Sequence, residues 1–451
     1  MNKISIIIAF LCIANLLNSF IASTMVANVL SYLSMGVLLI CIYYTKRVTK
    51  YMGITLVSLG LLFNFLNKDM TVFDLGGLLT NLPLLTLILF VPLISIPLRS
   101  SGLLESPYYF IDRWKNNEKK TFFSITAFLA LLSPILNLGS VRIMNDIIQD
   151  IHLHPKLQAN ASFVGFATAM VWSPYFGSIA LVLFYTGLQI SDYILIGLTY
   201  AFLILIAGNV LYRKQSGVGK ILETETEEES MTLLSSHKKN ILILVGVLTS
   251  LIGLLLLLEK VTGESMLLLV SMIAFIFPLL AGIIRRNLRK TLKEMIQYTK
   301  KIPDQMNSEI VLFLSAGFFG AALAGSELSK GLQQIMVSIS ESSFFLLILF
   351  ITGLIALLSF IGVHQIISIP VIAAQISPEL LGTTPEILAL LFIMAWSVSS
   401  IISPFAAINM IISQAAKTDS LTVGLRWNGL FALVTFSIGV SMIYLLSIFT
   451  Q

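Results

Sequence analysis

The sequence predicts an all-α polytopic membrane protein with about 11 transmembrane helices in two inverted repeats, each containing a re-entrant hairpin and a discontinuous helix. Hydrophobic residues make up 57% of the 451 residues and charged residues only 11%, which is far outside the range of soluble proteins. Two apolar segments are interrupted by the same Ser-Pro-aromatic sequence about half a chain apart. The basic residues fall almost entirely on one side of the predicted membrane.

The transmembrane elements follow from apolar runs long enough to cross the hydrocarbon core. The segment 1–25 resembles a signal peptide, but further spans follow it without a soluble domain, so we interpret it as an extra, retained N-terminal helix. A basic stretch, 285–302, keeps its apolar residues at helical spacing and is predicted to lie in the membrane interface. The other predicted spans lie at about 26–44, 51–66, 82–102, 159–188, 192–212, 241–258, 265–284, 310–334, 387–412 and 427–449.

Two further apolar segments are too interrupted to be clean crossings. The first, 121–149, carries Pro134 and Gly139 near its centre, and the second, 342–375, carries Gly362 there. Two short apolar arms around a polar tip are typical of a re-entrant hairpin, which is tolerated only where it is buried in protein or lines a cavity.

Two of the spans are predicted to be discontinuous helices. Pro174 interrupts the run 159–188 in the sequence WSPYF, and Pro404 interrupts the run 387–412 in the sequence ISPFA. The two prolines lie 230 residues apart (404 − 174 = 230), about half the chain. Interrupted helices at corresponding positions of two halves are the best sequence indication of a transporter's binding site.

The distribution of positive charge predicts the topology. With the N-terminus inside and each hairpin entering and leaving on one side, 24 of the 28 Lys and Arg residues lie inside. The exceptions are Lys68, Lys260, Lys330 and Arg142. We therefore expect a multi-pass protein of the cytoplasmic membrane, bacterial in origin, with the N-terminus inside and the C-terminus outside.

The same layout divides the chain into two repeats around a cytoplasmic linker. The first repeat covers 26–212, the linker 213–240 and the second repeat 241–451. Five crossings in the first repeat reverse the orientation of the second, so the repeats are predicted to be inverted.

The candidate binding residues lie at the hairpin tips and at the helix breaks. Short half-helices direct their N-terminal amides into such a cavity and favour an anion. The candidate substrate-binding residues are Asn137, Ser140, Arg142, Ser173, Ser178, His364, Gln365, Ser403 and Asn409. The candidate ligands of a coupling ion are Asn137, Gly139, Gly362, His364, Ser368 and Asn409.

Arg142 is the most informative of these residues, because a guanidinium within the membrane is costly and usually marks a functional path. It either recognises an anion or pairs with Asp146, four positions along the same helical face. His364 has a side chain suited to proton coupling, but a neutral, hydrogen-bonded histidine fits equally. Asn409 either contributes to a sodium site or caps the helix break. The serines at the breaks either bind cargo or bond their own backbone.

As a whole, this layout resembles the ion transporter superfamily, which includes divalent anion/sodium symporters and arsenite permeases. The resemblance covers eleven spans, one hairpin from each side and a broken helix after each hairpin. The hairpin tips read LNLGSVR and FIGVHQI and lack the Ser-Asn-Thr triplet of the sodium–dicarboxylate branch, so neither its sodium sites nor its substrate is carried over. The resemblance implies a homodimer and secondary transport driven by an ion gradient.

The sequence therefore predicts a secondary active transporter that moves a small anion, either an organic carboxylate or an inorganic oxyanion. We expect coupling to Na+ or H+ by alternating access, no other cofactor, no structural metal and no nucleic-acid partner. The alternatives are a membrane-embedded glycosyl or lipid transferase, a flippase, or a channel. The transferase would need paired carboxylates facing a cavity, and intramembrane carboxylates are few in this chain. We therefore do not expect an enzyme.

Overall fold

The computed structural model describes residues 2–66, 74–114, 117–149, 153–215, 231–324 and 326–450, and the elements within them are helices. In the first half these are α1 Asn2–Ile21, α2 Thr24–Tyr44, α3 Arg47–Leu66, α4 Gly77–Thr80, α5 Leu82–Phe90, α6 Ser95–Arg99, α7 Ser106–Trp114, α8 Glu118–Leu136, α9 Leu138–Gln149, α10 Pro155–Met170, α11 Gly177–Thr186 and α12 Ile190–Gln215. In the second half they are α13 Met231–Thr262, α14 Met266–Ile284, α15 Leu288–Leu323, α16 Glu327–Ser342, α17 Phe344–Phe360, α18 Gln365–Ala373, α19 Pro385–Ile402, α20 Ala407–Ala415 and α21 Asn428–Thr450.

The all-α membrane fold predicted from composition is confirmed. Among the described residues, eleven helical segments are long and apolar enough to cross a membrane. The set differs from the predicted one, because α8 qualifies by length whereas the predicted span 159–188 does not. That span is divided at Pro174 into α10, of 16 residues, and α11, of 10 residues, and each is too short to cross alone.

The predicted boundaries around α15 are wrong. The stretch 285–302 was expected to be a separate interfacial helix, but most of it is continuous with the following span in one helix of 36 residues. That span ends at Leu323 rather than at 334. A new helix, α16, begins after Ser326, whose side chain accepts a hydrogen bond from the amide of Ser329 as an N-cap.

Helices α12 and α13 extend into the predicted linker 213–240 from both sides. Residues 216–230 of that linker lie outside the described residues.

The chain between α8 and α10 returns to the end of the molecule at which α8 begins. Helix α12 runs antiparallel to both of them, so α8 and α10 are parallel to one another. The contacts that fix these directions are Phe122 with Tyr212 and Thr126 with Asn209 for α8, and Val164 with Gly208 and Trp172 with Gly197 for α10. Helix α9 therefore leads the chain back from a tip at Asn137.

The segment between α17 and α19 makes the same return in the second half. Ser340, just before α17, bonds to the carbonyl of Leu381, just before α19. At the other end of the pair, Ser403 donates to the carbonyl of Ser359. The starts of α17 and α19 therefore lie together, and so do their ends, which means that the two helices run parallel. Helix α18 lies on the segment that returns from the end of α17 to the start of α19.

The contacts divide most helices into two groups. We call α1–α6 with α13–α15 the frame, and α8–α12 with α17–α21 the core; α7 packs on α8 and α16 packs on α17. Within the core, α11 packs on α18 and α19, and α20 packs on α9 and α10. The second part of each broken helix therefore contacts the hairpin of the other half.

Corresponding core helices run in opposite directions. Tyr200 of α12 donates to the carbonyl of Thr435 in α21, and Gly208 lies beside Phe431, which makes α12 and α21 antiparallel. Gly439 beside Met394 and Gly424 beside the carbonyl of Ile401 make α21 and α19 antiparallel as well. Consequently α10 and α19 are also antiparallel. These directions agree with the inverted-repeat hypothesis, which stays a prediction for the chain as a whole.

Candidate functional site

The two helix breaks have the same turn. The hydroxyl of Ser173 accepts a hydrogen bond from the amide of Tyr175 at 3.3 Å, and the hydroxyl of Ser403 accepts one from the amide of Phe405 at 3.2 Å. In both turns the serine amide donates to a carbonyl four residues back, as a last helical bond. The serine therefore begins a turn around the proline, which is the structural role of serine beside a helix break.

A polar side chain of the following helix closes each break. Ser178 donates to the carbonyl of Met170 at 2.9 Å. Asn409 donates to the carbonyls of Ser400, Ile401 and Ser403 at 3.1, 2.9 and 2.7 Å. The carbonyls of Met170 and Ser400 lack helical partners because Pro174 and Pro404 have no amide hydrogen, whereas the carbonyl of Ser403 also accepts the amide of Ala406 at 3.2 Å. No water would replace a missing partner in the hydrocarbon core.

The Oδ1 atom of Asn409 is buried and has no hydrogen-bond partner among the described residues. It faces Gly424, where a β-carbon would lie 2.9 Å from it. The amide of Asn409 thus caps the break, and its oxygen remains available as a ligand in a fully buried position.

The tip of the first hairpin is held by its own residues. Asn137 adopts a positive φ of 50°, which asparagine tolerates better than most residues, and its Oδ1 accepts from the amide of Leu138 at 2.8 Å. The hydroxyl of Ser140 lies 2.7 Å from that of Ser133 and donates to the carbonyl of Asn137 at 2.6 Å. Ser140 therefore ties the beginning of α9 to the end of α8.

Two arginines lie on the elements that form or adjoin this tip. Arg142 is exposed rather than buried as expected, and no ion pair joins it to Asp146 in the part of the chain that the structure describes. Arg99, at the end of α6, directs its Nη2 to within 3.9 Å of the position that a β-carbon on Gly139 would occupy. Sequence analysis assigned Arg99 only to the cytoplasmic charge, because nothing in the sequence indicates that α6 ends beside this hairpin.

The tip of the second hairpin is a hydrogen-bonded network. Gln365 donates from Nε2 to the hydroxyls of Ser359 and Ser399 at 2.9 and 3.0 Å. Nδ1 of His364 accepts from the amide of Ile366 at 3.2 Å, and its ring lies edge-on to Trp396 with centroids 6.4 Å apart. The chain reverses before this network at Gly362, whose φ of +99° favours glycine.

The structure groups the candidate residues unevenly. Gln365, His364 and Ser403 meet where the second hairpin contacts its own helix break, through the bonds of Ser359 and Ser399. Ser368 follows one turn later in α18, where its amide donates to the carbonyl of His364, and it lines an apolar cavity between α18 and the frame. In the described part of the chain, no group of three His, Cys, Asp or Glu residues is placed to hold a metal ion.

A carboxylate that the sequence did not single out lies within a spanning helix. Glu309 lies on α15, one position before the predicted span 310–334, and its Oε2 is buried with no hydrogen-bond partner among the described residues. The positive charges of Lys46 and Arg142 act on it. The only signal in the sequence was an acidic residue directly before an apolar run.

Comparison with known proteins relates the fold to transporters. No protein-family model and no curated protein matches the chain. The YdaH transporter of Alcanivorax borkumensis, described as having an unusual topology, is similar over 87% of this chain and 97% of its own, with a TM-score of 0.57 and 14% identity. MtrF of Neisseria gonorrhoeae, described in a class of antimetabolite efflux pumps, is similar over 79% of this chain and 80% of its own, with a TM-score of 0.51 and 15% identity. At such identities the likeness establishes the fold.

Proposed function

We propose that this protein is a secondary active transporter that moves a small anion across the cytoplasmic membrane by alternating access. The observation that carries the proposal is Arg99, whose guanidinium reaches the first hairpin tip, together with Arg142, an exposed arginine in the first half of α9. The dipole at the N-terminus of α9 also favours negative charge at this tip. Arginine presents several donors in a planar fork and binds carboxylates and oxyanions in two-point contacts.

The frame and the core supply two units for alternating access. The core contains both hairpins and both broken helices, and it contacts the frame through α18 on α15 and through α11 on α5 and α14. Movement of the core against the frame would expose the hairpin tips to one side at a time. The ion transporter superfamily remains our hypothesis for the wider relationship, and a homodimer remains our hypothesis for the assembly.

The coupling ion is Na+ or H+. Asn409 offers a buried oxygen for sodium, and Glu309 offers a buried carboxylate oxygen that can carry a proton. We propose Glu309 as the proton carrier because its Oε2 has no partner among the described residues and it lies on a spanning helix.

Either ion fits import or export, and the likeness to an efflux pump makes export of an anionic metabolite the first direction to test.

Reconstituted protein tests the anion proposal. Purified protein is first screened by thermal shift against carboxylates and oxyanions, with and without sodium and at two pH values. The best anion is then used, radiolabelled, in proteoliposomes with an imposed ion gradient. We expect saturable, gradient-dependent transport, which a channel or a transferase would not give.

The arginines are then replaced one at a time. Arg99→Gln and Arg142→Gln should each raise the KM by about ten- to a hundredfold, because each removes charge-assisted hydrogen bonds to the anion. The matched control is Arg289→Gln, an exposed arginine near the start of α15. Normal KM values in both site variants, with insertion intact, would remove the anion site from this tip.

A further inference from the structure

An apolar cavity lies beside the second hairpin, where the core meets the frame, and Val363 of the hairpin tip lines it. It has a volume of about 310 Å³, at the lower end of the range of about 300–1,000 Å³ that is usual for small-molecule sites. Its walls come from α3 and α15 of the frame, from α17 and α18 of the core, and from α16. Residues from both sides include Leu59, Phe319, Met336, Leu354 and Val371.

The chemistry of the walls limits what can occupy this cavity. None of the described residues that line it carries a charge, and its surface is formed by carbon atoms. A charged molecule would lose its hydration there without gaining a partner, so an anion of the kind proposed for the first hairpin tip is excluded. An apolar body would gain dispersion contacts with every wall.

Two buried polar groups lie directly behind this carbon surface. Ser368 and Gln375 line the cavity and are 3% and 5% exposed, and the Oγ of Ser368 and the Nε2 of Gln375 have no hydrogen-bond partner among the described residues. They are seven residues apart and so lie on one face of α18 and its continuation. The Oε1 atom of Gln375 accepts a hydrogen bond from the hydroxyl of Ser329, which directs the amide so that its Nε2 atom is the unpaired one.

We propose that this cavity is a regulatory binding site for a neutral, mainly apolar molecule that carries one hydrogen-bond acceptor. The acceptor bonds to Nε2 of Gln375 or to Oγ of Ser368 after a small rotation of the side chain, and the apolar body fills the space between α3, α16 and α17. Buried polar groups without partners are costly, so the acceptor gives the site its specificity.

The position of the cavity implies that a bound ligand affects transport, an inference that rests on the proposed function. The occupant contacts the frame at Leu59 and Phe319 and the core at Leu354 and Val371. A molecule packed against both units resists their relative movement. Binding therefore inhibits alternating access from a site that the transported anion does not use.

Benzophenone is a suitable probe, because it has two apolar rings, one carbonyl acceptor and no charge, and it cross-links to neighbouring C–H bonds under ultraviolet light. We expect saturable labelling of Met336 and Leu354 in the purified protein, detected by mass spectrometry of its peptides. Leu354→Trp fills the cavity and should reduce the labelling of Met336 at least about tenfold. Leu357→Trp is the matched control, because Leu357 lies on the same helix but is 62% exposed on its outer face.

A third variant tests the hydrogen bond. Gln375→Met keeps the volume but removes the donor, and it should weaken benzophenone binding about three- to tenfold, the value of one hydrogen bond. Labelling that does not saturate, or that survives Leu354→Trp unchanged, would overturn the site. Ser368→Ala removes the other donor, and equal affinity in both Gln375→Met and Ser368→Ala would overturn the role of the acceptor.

Transport provides the last readout. In proteoliposomes, benzophenone should inhibit uptake by the native protein and by Leu357→Trp, but not by Leu354→Trp. Saturable binding without inhibition would overturn the regulatory role. The labelling experiment needs no transported substrate, so a failure of the proposed function would leave its result interpretable.

Discussion

At the scale of single residues, Asn409 shows how one amide closes a broken membrane helix. Its Nδ2 donates to three carbonyls, whereas Ser178 donates to one carbonyl at the corresponding break. Asn409→Leu keeps the volume but removes the donor from three buried carbonyls, of which that of Ser403 still accepts the amide of Ala406. Ser178→Ala removes the donor from one.

We therefore expect Asn409→Leu to lower the free energy of unfolding more than Ser178→Ala does. Each buried group left without a partner costs about 1–3 kcal/mol. Thermal unfolding of the two variants in one detergent measures the difference. Equal Tm values would show that the amide contributes little to holding the break.

The coupling ion can also be tested at this scale. Nδ1 of His364 accepts the amide of Ile366 as the N-cap of α18, so a proton there would displace the cap. Glu309 has a buried carboxylate oxygen with no such bond among the described residues. The positive charges of Lys46 and Arg142 act on it.

We expect Glu309→Gln to flatten the pH dependence of transport, because an amide cannot take up a proton. His364→Gln should leave the shape of the profile unchanged. Uptake measured at a fixed sodium gradient from about pH 5 to about pH 9 decides between the two residues. These limits bracket the usual histidine pKa of about 6.5. The reverse outcome would assign the proton to His364, and two unchanged profiles would favour sodium.

Single residues also show what could and could not be predicted from the sequence. Spacing and residue type indicated the breaks at Pro174 and Pro404, because a proline inside an apolar run removes a helical hydrogen bond and clashes with the preceding turn. Neither spacing nor type indicates that Arg99 reaches Gly139, since that contact joins elements 40 residues apart along the chain. Arg142 was expected to be buried because its neighbours are apolar, but hydropathy does not show which face of α9 meets other helices.

At the scale of elements, α12 begins on a side chain from another helix. Both carboxylate oxygens of Glu259, on α13, accept from the first amides of α12, at Ile190 and Ser191, each at 3.0 Å. Glu259 is 3% exposed, so the bonds are shielded from water. The N-terminal end of a helix also favours a negative charge.

We expect Glu259→Ala to destabilise the protein by about 2–3 kcal/mol, the value of charge-assisted hydrogen bonds to buried amides. Glu259→Gln should lose less, because its carboxamide oxygen still accepts one of the bonds. The control is Glu341→Ala at the exposed end of α16. Thermal unfolding of the three variants checks the order, and an equal loss in Glu259→Ala and Glu341→Ala would contradict it.

Element boundaries were predicted less well than the existence of the elements. Hydropathy identified the apolar part of α15 but not its continuity with the basic stretch before it, because a helix does not end where its composition changes. The true end was signalled by Ser326, an N-cap residue within a small, Gly-containing segment that reads equally as helix packing.

At the scale of the whole molecule, the sequence predicted two related halves, and the structure supplies the contacts between them. Helix α11 packs on α18 and α20 packs on α9, so the second part of each broken helix contacts the hairpin of the other half. Such contacts join residues at least 179 positions apart (365 − 186 = 179), beyond the reach of any local pattern. The division into frame and core follows from these contacts, and sequence analysis contained no equivalent of it.

The inverted arrangement makes a prediction about sidedness that single cysteines can test. If the first hairpin enters and leaves from the cytoplasm, Asn117→Cys before α8 and His154→Cys before α10 are both accessible from inside. If the second hairpin does so from outside, Ser342→Cys before α17 and Thr383→Cys before α19 are both accessible from outside. A hairpin that crossed the full membrane would place the two members of its pair on opposite sides.

A membrane-impermeant maleimide, applied to intact cells and to inverted vesicles, measures this accessibility. The two native cysteines, Cys12 and Cys41, are free but buried, so background labelling should be low. We expect both members of the first pair to be labelled only in inverted vesicles and both members of the second only in intact cells. Labelling of all four positions from one side would leave the hairpins intact but remove the inversion, because α8 and α17 would then begin on the same side of the membrane.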